Sequence, residues 1–379
     1  MENTAIRRVT TPSGDPAWLV TGYDDVKALL SDPRLGRSHA DPQRAARISQ
    51  SAIFGGPMGH PSTEAAEHAR TRRLLAPAFS ARRMARLRPR VTAIIADLLD
   101  ALANQTRPAD FHEAVSFPLP ALVICELLGV PYADREDFRR WSDDAAHLTD
   151  AARSQTGLML LWQYMRTLVY RKQAEPGDDV ISDLVAAAAA DPELTVDGIA
   201  MLSAGLLFAG HETTVTAIDR GVTLLLIHPG QVDALRHDPA LIEPAVEEIL
   251  RSWLPMRTSG ANEQVAGLPR YANTDFTFGG VTIQTGELVM LGLRQANLDE
   301  RLFPEPDRFD VHRTPHPHLT FGHGPRFCVG APLARIELQM LFAALLDRFP
   351  TMRLAVSIES LRGRDELLTG GLVELPVTW

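Results

Sequence analysis

The stretch FGHGPRFCVGAPLARIEL, residues 321–338, decides how the chain is read. It sets Cys328 between glycines and just ahead of a helical pattern expected over 331–348. A sulfur at a helix N-terminus meets unpaired backbone N–H groups and the positive end of the helix dipole, and both favour thiolate over thiol. Glycines at 322, 324 and 330 let the backbone turn sharply and lie close against a flat object. Pro332 suits the first helical turn, where an N–H would have no acceptor. Three roles are open to such a cysteine. It can be a packed core residue, as most free cysteines are. It can be a nucleophile, although no neighbouring His–Asn or CxxC pattern supports that. It can be the single thiolate ligand of a haem iron, with the opposite axial position open to a small molecule.

A second unusual stretch, LLFAGHETTVTAI (206–218), lies inside an apolar helical pattern expected from Val196 to Ile227. A helix of that length spans about 48 Å at 1.5 Å per residue, so its middle has to run through the core. Gly210 there costs about 1 kcal/mol against alanine, and a buried Glu212 without a partner costs several times more. The pair "HE" begins the zinc pattern HExxH, but residue 215 is valine, so the second histidine is missing. His211 is expected to turn into polar packing, and Thr214 to bond a helix carbonyl or simply to pack.

The remaining organisation is mainly α with a small β region, expected as a single domain over 1–379. Helices are expected at 66–76, 81–104, 118–128, 135–147, 154–173, 178–190, 196–227 and 244–254. The helix-rich part thus covers 66–254 and 331–348. Strands are expected at 17–22, across 276–291 with a Gly-Gly turn, and in 353–379. Apolar residues make up 45% and charged residues 22% of 379, an ordinary globular composition, and the net charge of −9 gives no reason to expect nucleic acid. Arginines crowd residues 68–90 without an acid among them, which reads either as a solvated face or as a dock for an acidic partner or anionic cofactor. Two cysteines cannot form a disulfide framework. Cys125 is expected to be packing. The opening MENTAIRRVTTPSGDP has no apolar leader and no run of eighteen apolar residues occurs, so a cytoplasmic protein without a membrane span is expected.

Several of these motifs together resemble the cytochrome P450 family. Phe321, Gly324, Cys328 and Gly330 fill the pattern FxxGxxxCxG of its haem loop. Ala209, Gly210, Glu212 and Thr213 match its central-helix motif, and Glu248 and Arg251 its ExxR. FPEPDRFD resembles the segment before the cysteine loop, with Arg308 expected to join Glu248 and Arg251 in a buried structural cluster. EHARTRR places His68 and Arg72 four apart, as in the family's haem-contacting helix. The resemblance spans nearly the whole chain and is closest in style to soluble bacterial members.

The resemblance implies heme b (iron protoporphyrin IX) bound through Cys328 as metal ligand. Phe321, Gly322, Gly330, Ala209 and Gly210 would lie around it, and His68, Arg72, Arg270 and Arg326 would pair its carboxylates. It also implies Glu212 and Thr213 as the catalytic pair that hands on protons while dioxygen is cleaved. Ala209 and Gly210 are expected to clear space for the ring. The segment 252–268 is about eight residues longer than the family pattern and is expected to reshape the pocket wall. That wall is expected from 50–65, 154–172, Leu206 to Thr213, Leu254 to Met256 and Thr369 to Leu372. No flavin or nicotinamide motif is present, so electrons from NAD(P)H would come through a separate ferredoxin and ferredoxin reductase. The expected activity is hydroxylation or epoxidation of a small, secondary-metabolite-like substrate by a monomer. Oxidative cross-linking of aromatic rings in a peptide or phenol is the alternative, ahead of a haem gas sensor and a thiol hydrolase.

Overall fold

The computed structural model describes residues 6–53, 55–252, 267–313, 317–368 and 370–379. It begins with the antiparallel strands β1 (Ile6–Thr10) and β2 (Pro16–Val20), then α1 (Tyr23–Leu30) and the short β3 (Leu35–Gly36). Helices follow: α2 (Glu64–Leu75), α3 (Ala81–Ala103), then after the two-residue β4 (Ala109–Asp110) α4 (Pro118–Leu128), α5 (Arg135–Ala146), α6 (Ala151–Ala174), α7 (Val180–Ala187), α8 (Val196–Ile227), α9 (Pro229–His237) and α10 (Ile242–Arg251). Strands β5 (Leu268–Ala272), β6 (Phe276–Phe278), β7 (Val281–Ile283) and β8 (Leu288–Leu291) precede α11 (Leu293–Asn297). The chain closes with α12 (Ala331–Arg348), β9 (Arg353–Leu354) and β10 (Pro376–Thr378).

The helices form where side-chain oxygens satisfy their first N–H groups. Ser80, Asp150, Asp179 and Thr195 cap α3, α6, α7 and α8 through the N–H of Arg83, Arg153, Ser182 and Gly198. Gly129, at φ +75°, ends α4 in a left-handed turn that favours glycine. Each helix expected from the sequence is present with ends within three residues of the reading. His228-Pro229-Gly230 ends α8 as expected, but Pro229 at once opens α9, a helix absent from the sequence reading.

α8 is the axis of the helical part and packs against α4, α6, α10 and α12. Two of its glycines are there for neighbouring helices. A Cβ on Gly221 would stand 2.3 Å from Phe342 Cζ of α12, and one on Gly210 would stand 2.8 Å from Ile124 Cδ1 of α4. Gly210 therefore lets α4 approach.

The β elements flank this bundle as a five-stranded sheet in the order β1-β2-β8-β5-β3, with β2 and β8 parallel. The expected strand region 276–291 divides. β6 and β7 form a hairpin around Gly279 and Gly280, both at positive φ, whereas β8 joins the larger sheet.

The end of α10 ties helices to coil. Arg251 grips Glu248 through two bonds of 2.7 and 2.8 Å and donates to the carbonyls of Asn297 and Pro306 at 2.9 Å each. The second arginine on Glu248 is Arg313, at 3.0 Å, not Arg308 as expected. Arg313 also donates to the carbonyls of Pro304, Glu305 and Arg308 and so knits the whole segment. Arg308 points outward to Glu305 and Asp310, its side chain 58% exposed. Arg313→Ala should therefore destabilise the fold by about 2–3 kcal/mol, because a buried carboxylate that Arg251 still neutralises loses one charged hydrogen bond. Arg308→Ala should stay within about 0.5 kcal/mol. Urea denaturation of the two variants side by side checks the assignment.

Candidate functional site

The cysteine loop is shaped by bonds that only its backbone can make. Cys328 N–H donates to Phe321 O at 2.8 Å, and Gly322 N–H to Leu319 O at 2.8 Å. Gly322 and Gly324 sit at φ +73° and +70°, and a Cβ on Gly324 would collide with Ser31. The Phe321 ring lies under the Arg335 guanidinium at 4.7 Å, and Arg335 is held by Glu247 through bonds of 2.7 and 2.8 Å. Cys328 itself is open to solvent within this concave loop, and a Cβ on Gly330 would stand 3.8 Å from its sulfur. Burial nevertheless pushes its thiol up, against the pull of the Gly330 and Ala331 N–H groups and of Arg72 and Arg335. The helix N-terminus thus favours thiolate, as the sequence suggested, but does not win alone. A metal ion at the sulfur would complete the deprotonation. Cys125, by contrast, is a buried thiol pushed up to about 12. It is packing.

The expected carboxylate-binding residues gather from distant parts of the chain. Arg72 donates to Phe327 O at 2.9 Å, which puts α2 against the cysteine loop. His68 is lowered by burial and then by the positive charges of Arg326 and Arg72. Arg270 on β5 is 4% exposed and pushed down to about 9 by burial, then by Arg37 and Arg326. Its side chain donates to Pro269 O at 2.8 Å and makes no ion pair among the described residues. Two members of the cluster were not foreseen. Arg37, whose guanidinium is lowered by burial and by Arg326, arrives from the loop after β3. Glu64, at the start of α2, accepts from the N–H groups of Arg37 (2.8 Å) and Ser38 (3.0 Å), from the Ser38 hydroxyl, and from Arg326. Arg326, expected on a haem carboxylate, thus already has a protein partner.

Halfway along α8 the helix shows two different faces. Met201, Gly205, Ala209 and Thr213, spaced four apart, form an open row along a helix that is otherwise mostly buried. Thr213 Oγ1 donates to Ala209 O at 2.8 Å, and Thr214 Oγ1 to Gly210 O at 3.3 Å. Glu212 is not on this row: it is 3% exposed and turned into the interior. Burial pushes its carboxyl up, while Arg364, Arg139 and His112 pull the other way. His211 is equally buried and turns into packing that is both polar and aromatic, with Nε2 3.3 Å from Phe117 O and its ring 4.5 Å from that of Phe117.

Several segments named as pocket wall do meet. Ile53, Ala146, Phe208, Leu367 and Leu368 form one apolar cluster. Gln50 N–H donates to Leu148 O, and Leu148 N–H to Glu366 O, so the α5–α6 turn is tied to both loops. Ser154 of α6 accepts from Ala52 N–H at 2.8 Å. Leu254 to Met256, Thr369 and most of the 252–268 segment lie outside the described residues.

These residues fit a haem. The sulfur is open and ringed by N–H groups, and a buried guanidinium without a carboxylate partner calls for an anion. Among the described residues no cluster of three His, Cys, Asp or Glu gathers for a metal ion. Comparison with known proteins agrees. The cytochrome P450 family pattern matches residues 154–355. Pentalenolactone synthase of Streptomyces exfoliatus is 46% identical, covering 99% of this chain and 93% of its own. Mycinamicin IV hydroxylase/epoxidase of Micromonospora griseorubida is 42% identical over 100% of this chain and 93% of its own. The crystal structure of substrate-free PimD, a polyene macrolide antibiotic pimaricin epoxidase, superposes with a TM-score of 0.85 at 41% identity, covering 99% of this chain and 93% of that one.

Two outcomes follow from the electrostatics. Arg270→Leu should raise the thermal stability of the haem-free protein, because it removes a buried unpaired cation. It should also weaken haem retention about tenfold, the weight of one charged hydrogen bond. Differential scanning calorimetry and competitive haem transfer measure the two effects. For Glu247, burial opposes ionisation, but Arg335 and His318 together hold it down at about 2. The folded value is below the ordinary 4.5, so its contribution is complete above pH 4.5 and is lost as pH falls towards 2. Glu247→Gln should remove on the order of 2 kcal/mol at pH 7 and flatten that part of the stability–pH curve.

Proposed function

This chain belongs to the cytochrome P450 family and is a monooxygenase; we propose that it hydroxylates or epoxidises a sizeable, largely apolar secondary metabolite. What carries the reading is the open Cys328 loop together with an α8 that turns Thr213 outward and buries Glu212 one residue before it. The relatives named as mycinamicin IV hydroxylase/epoxidase and pimaricin epoxidase support the oxygen-inserting chemistry and a large natural-product substrate.

Cys328 would hold the iron of heme b. Arg270, Arg72, His68 and Arg37 would meet its carboxylates, with Arg326 shared between the group and Glu64. Phe321, Gly322 and Gly330 would form the floor of the site, and Ala209 would leave room on the open row of α8. When bound, the haem supplies the reductive activation of dioxygen, with the thiolate donating electron density. The chain's own part is proton control. The Thr213 hydroxyl, already donating to Ala209 O, keeps its lone pairs for a ligand or an ordered water. Glu212, whose carboxyl burial pushes up, would hold a proton more readily than an exposed acid and release one at a time into a dry site. The apolar cluster of Ile53, Phe208, Leu367 and Leu368 excludes water and suits an apolar substrate.

Electrons would come from NAD(P)H by way of a ferredoxin reductase and an acidic ferredoxin. The arginine-rich surface is less positive than its sequence suggests. Arg70 pairs with Asp191 and Glu193, Arg83 and Arg86 with Asp178, and Arg90 with Glu126. Arg73, Arg82 and Arg88 make no ion pair among the described residues and would carry the docking. Among the described residues no helix is long and apolar enough to cross a membrane.

The holoenzyme, supplied with NAD(P)H, ferredoxin, reductase and ¹⁸O₂, should place one labelled atom in the product of a macrolide-like substrate. A dehydrogenated or cross-linked product without label would overturn oxygen insertion. Glu212→Gln should slow turnover about 100-fold while the spectral shift on substrate binding persists. A kinetically silent Glu212→Gln would remove the acid from the mechanism.

A further inference from the structure

Among the described residues, the adjacent buried side chains His211 and Glu212 leave one polar atom each without a hydrogen bond, and these two atoms are near neighbours. His211 Nδ1 lies 3.4 Å from Glu212 Oε1. The other ring nitrogen, Nε2, lies 3.3 Å from Phe117 O. A carbonyl only accepts, so Nε2 carries the hydrogen. The ring is clamped edge-on between Phe117 at 4.5 Å and Phe138 at 6.1 Å, which leaves it little freedom to flip. Burial pushes its pKa down to about 4, so at neutral pH it has a single N–H, and Nδ1 presents a lone pair.

A lone pair facing a carboxylate oxygen is repulsive, so a hydrogen belongs between them. We propose that His211 is a positioning residue for Glu212: its Nδ1 accepts from the protonated carboxyl at Oε1 and keeps that acid loaded and oriented. The catalytic consequence rests on the role proposed above for Glu212, but the arrangement itself does not. At 3.4 Å the two atoms are within reach but not in hydrogen-bond geometry, and the proposed bond requires the Glu212 side chain to rotate towards the ring. Other charged groups face the pair. Arg139 and Asp143 come from α5, Arg364 and His112 from the C-terminal loop and the turn before α4, and Asp219 from α8. Asp143 is itself raised by burial and then by Glu212, and is held by Arg364 at 2.6 Å. In a turnover one proton leaves the Glu212 carboxyl and one from solvent replaces it, while the ring keeps its single N–H throughout. The ionised acid would face the Nδ1 lone pair, and that repulsion favours reloading.

The test uses the ferrous carbonyl holoenzyme. Nitrogen-15 spectra should show His211 as the Nε2–H tautomer at pH 7, still neutral at about pH 5. An Nδ1–H tautomer or a doubly protonated ring at pH 7 would overturn the proposal. Infrared spectra should show a protonated-carboxyl band that is lost in Glu212→Gln. In His211→Leu that band should move to higher frequency, and the carboxyl's midpoint should fall by about one pH unit, since a bond to its neutral form is gone. His211→Asn, whose amide oxygen can accept in place of Nδ1, should restore both. An unmoved band in His211→Leu contradicts the pairing. Should the leucine variant fail to fold, the wild-type tautomer and the asparagine band decide. If the spectra behave as stated while product formed per NAD(P)H is unchanged in His211→Leu, the pairing stands and the proton-donor role of Glu212 falls.

Discussion

The bidentate contact between Glu247 and Arg335 joins the end of α10 to the start of α12, and the cysteine loop depends on it. Arg335 in turn covers Phe321, whose carbonyl accepts from Cys328 N–H. Arg72 on the Phe327 carbonyl and Arg326 on Glu64 tie the other side of the loop to α2. The next residue, Glu248, points the other way and gathers Arg251 and Arg313, which close the segment before the loop. Two successive carboxylates on one helix end thus fix both sides of the sulfur's surroundings, from a position where burial makes leaving either one unpaired expensive.

Across the molecule, α8 separates two environments. Its open row, with Ala209 and Thr213, is small and lightly polar; its inward row carries His211, Glu212 and Asp219 into a pocket of aromatic rings and charged groups from α5 and the C-terminal loop. The chemistry implied by a thiolate-bound haem needs protons to reach a dry site singly. A helix with an alcohol on one row and a buried acid on the other meets that need without flooding the site. The cost is a set of buried polar atoms, which the fold tolerates because α4, α6, α10 and α12 pack against the remainder of α8.

Much of this was legible in the sequence, and the reasons differ by element. α8 could be read because its apolar run is long, Thr195 caps it and His228-Pro229 stops it. The cysteine loop could be read because glycines, a cysteine and a following proline make sense together only in a tight loop before a helix. Arg313 could not be chosen over Arg308, since both lie in coil where no periodicity assigns direction. Arg37 and Glu64 join the cation cluster only through tertiary folding. The contact of Gly210 with Ile124 was not legible, because Ile124 lies on α4, far away in sequence. β1 escaped notice because its pattern is largely polar, with Ile6 its one buried residue. The positive face of 68–90 was overstated because the neutralising acids, Asp178, Asp191 and Glu126, come from elsewhere in the chain.

The account stands on sulfur as the iron's protein ligand. The most direct measurement is the absorption spectrum of the dithionite-reduced holoprotein under carbon monoxide. Ligation by Cys328 predicts the strongly red-shifted Soret band of a thiolate-bound haem, absent from Cys328→Ser. A band at the position typical of histidine-bound haem in the unaltered protein would contradict it.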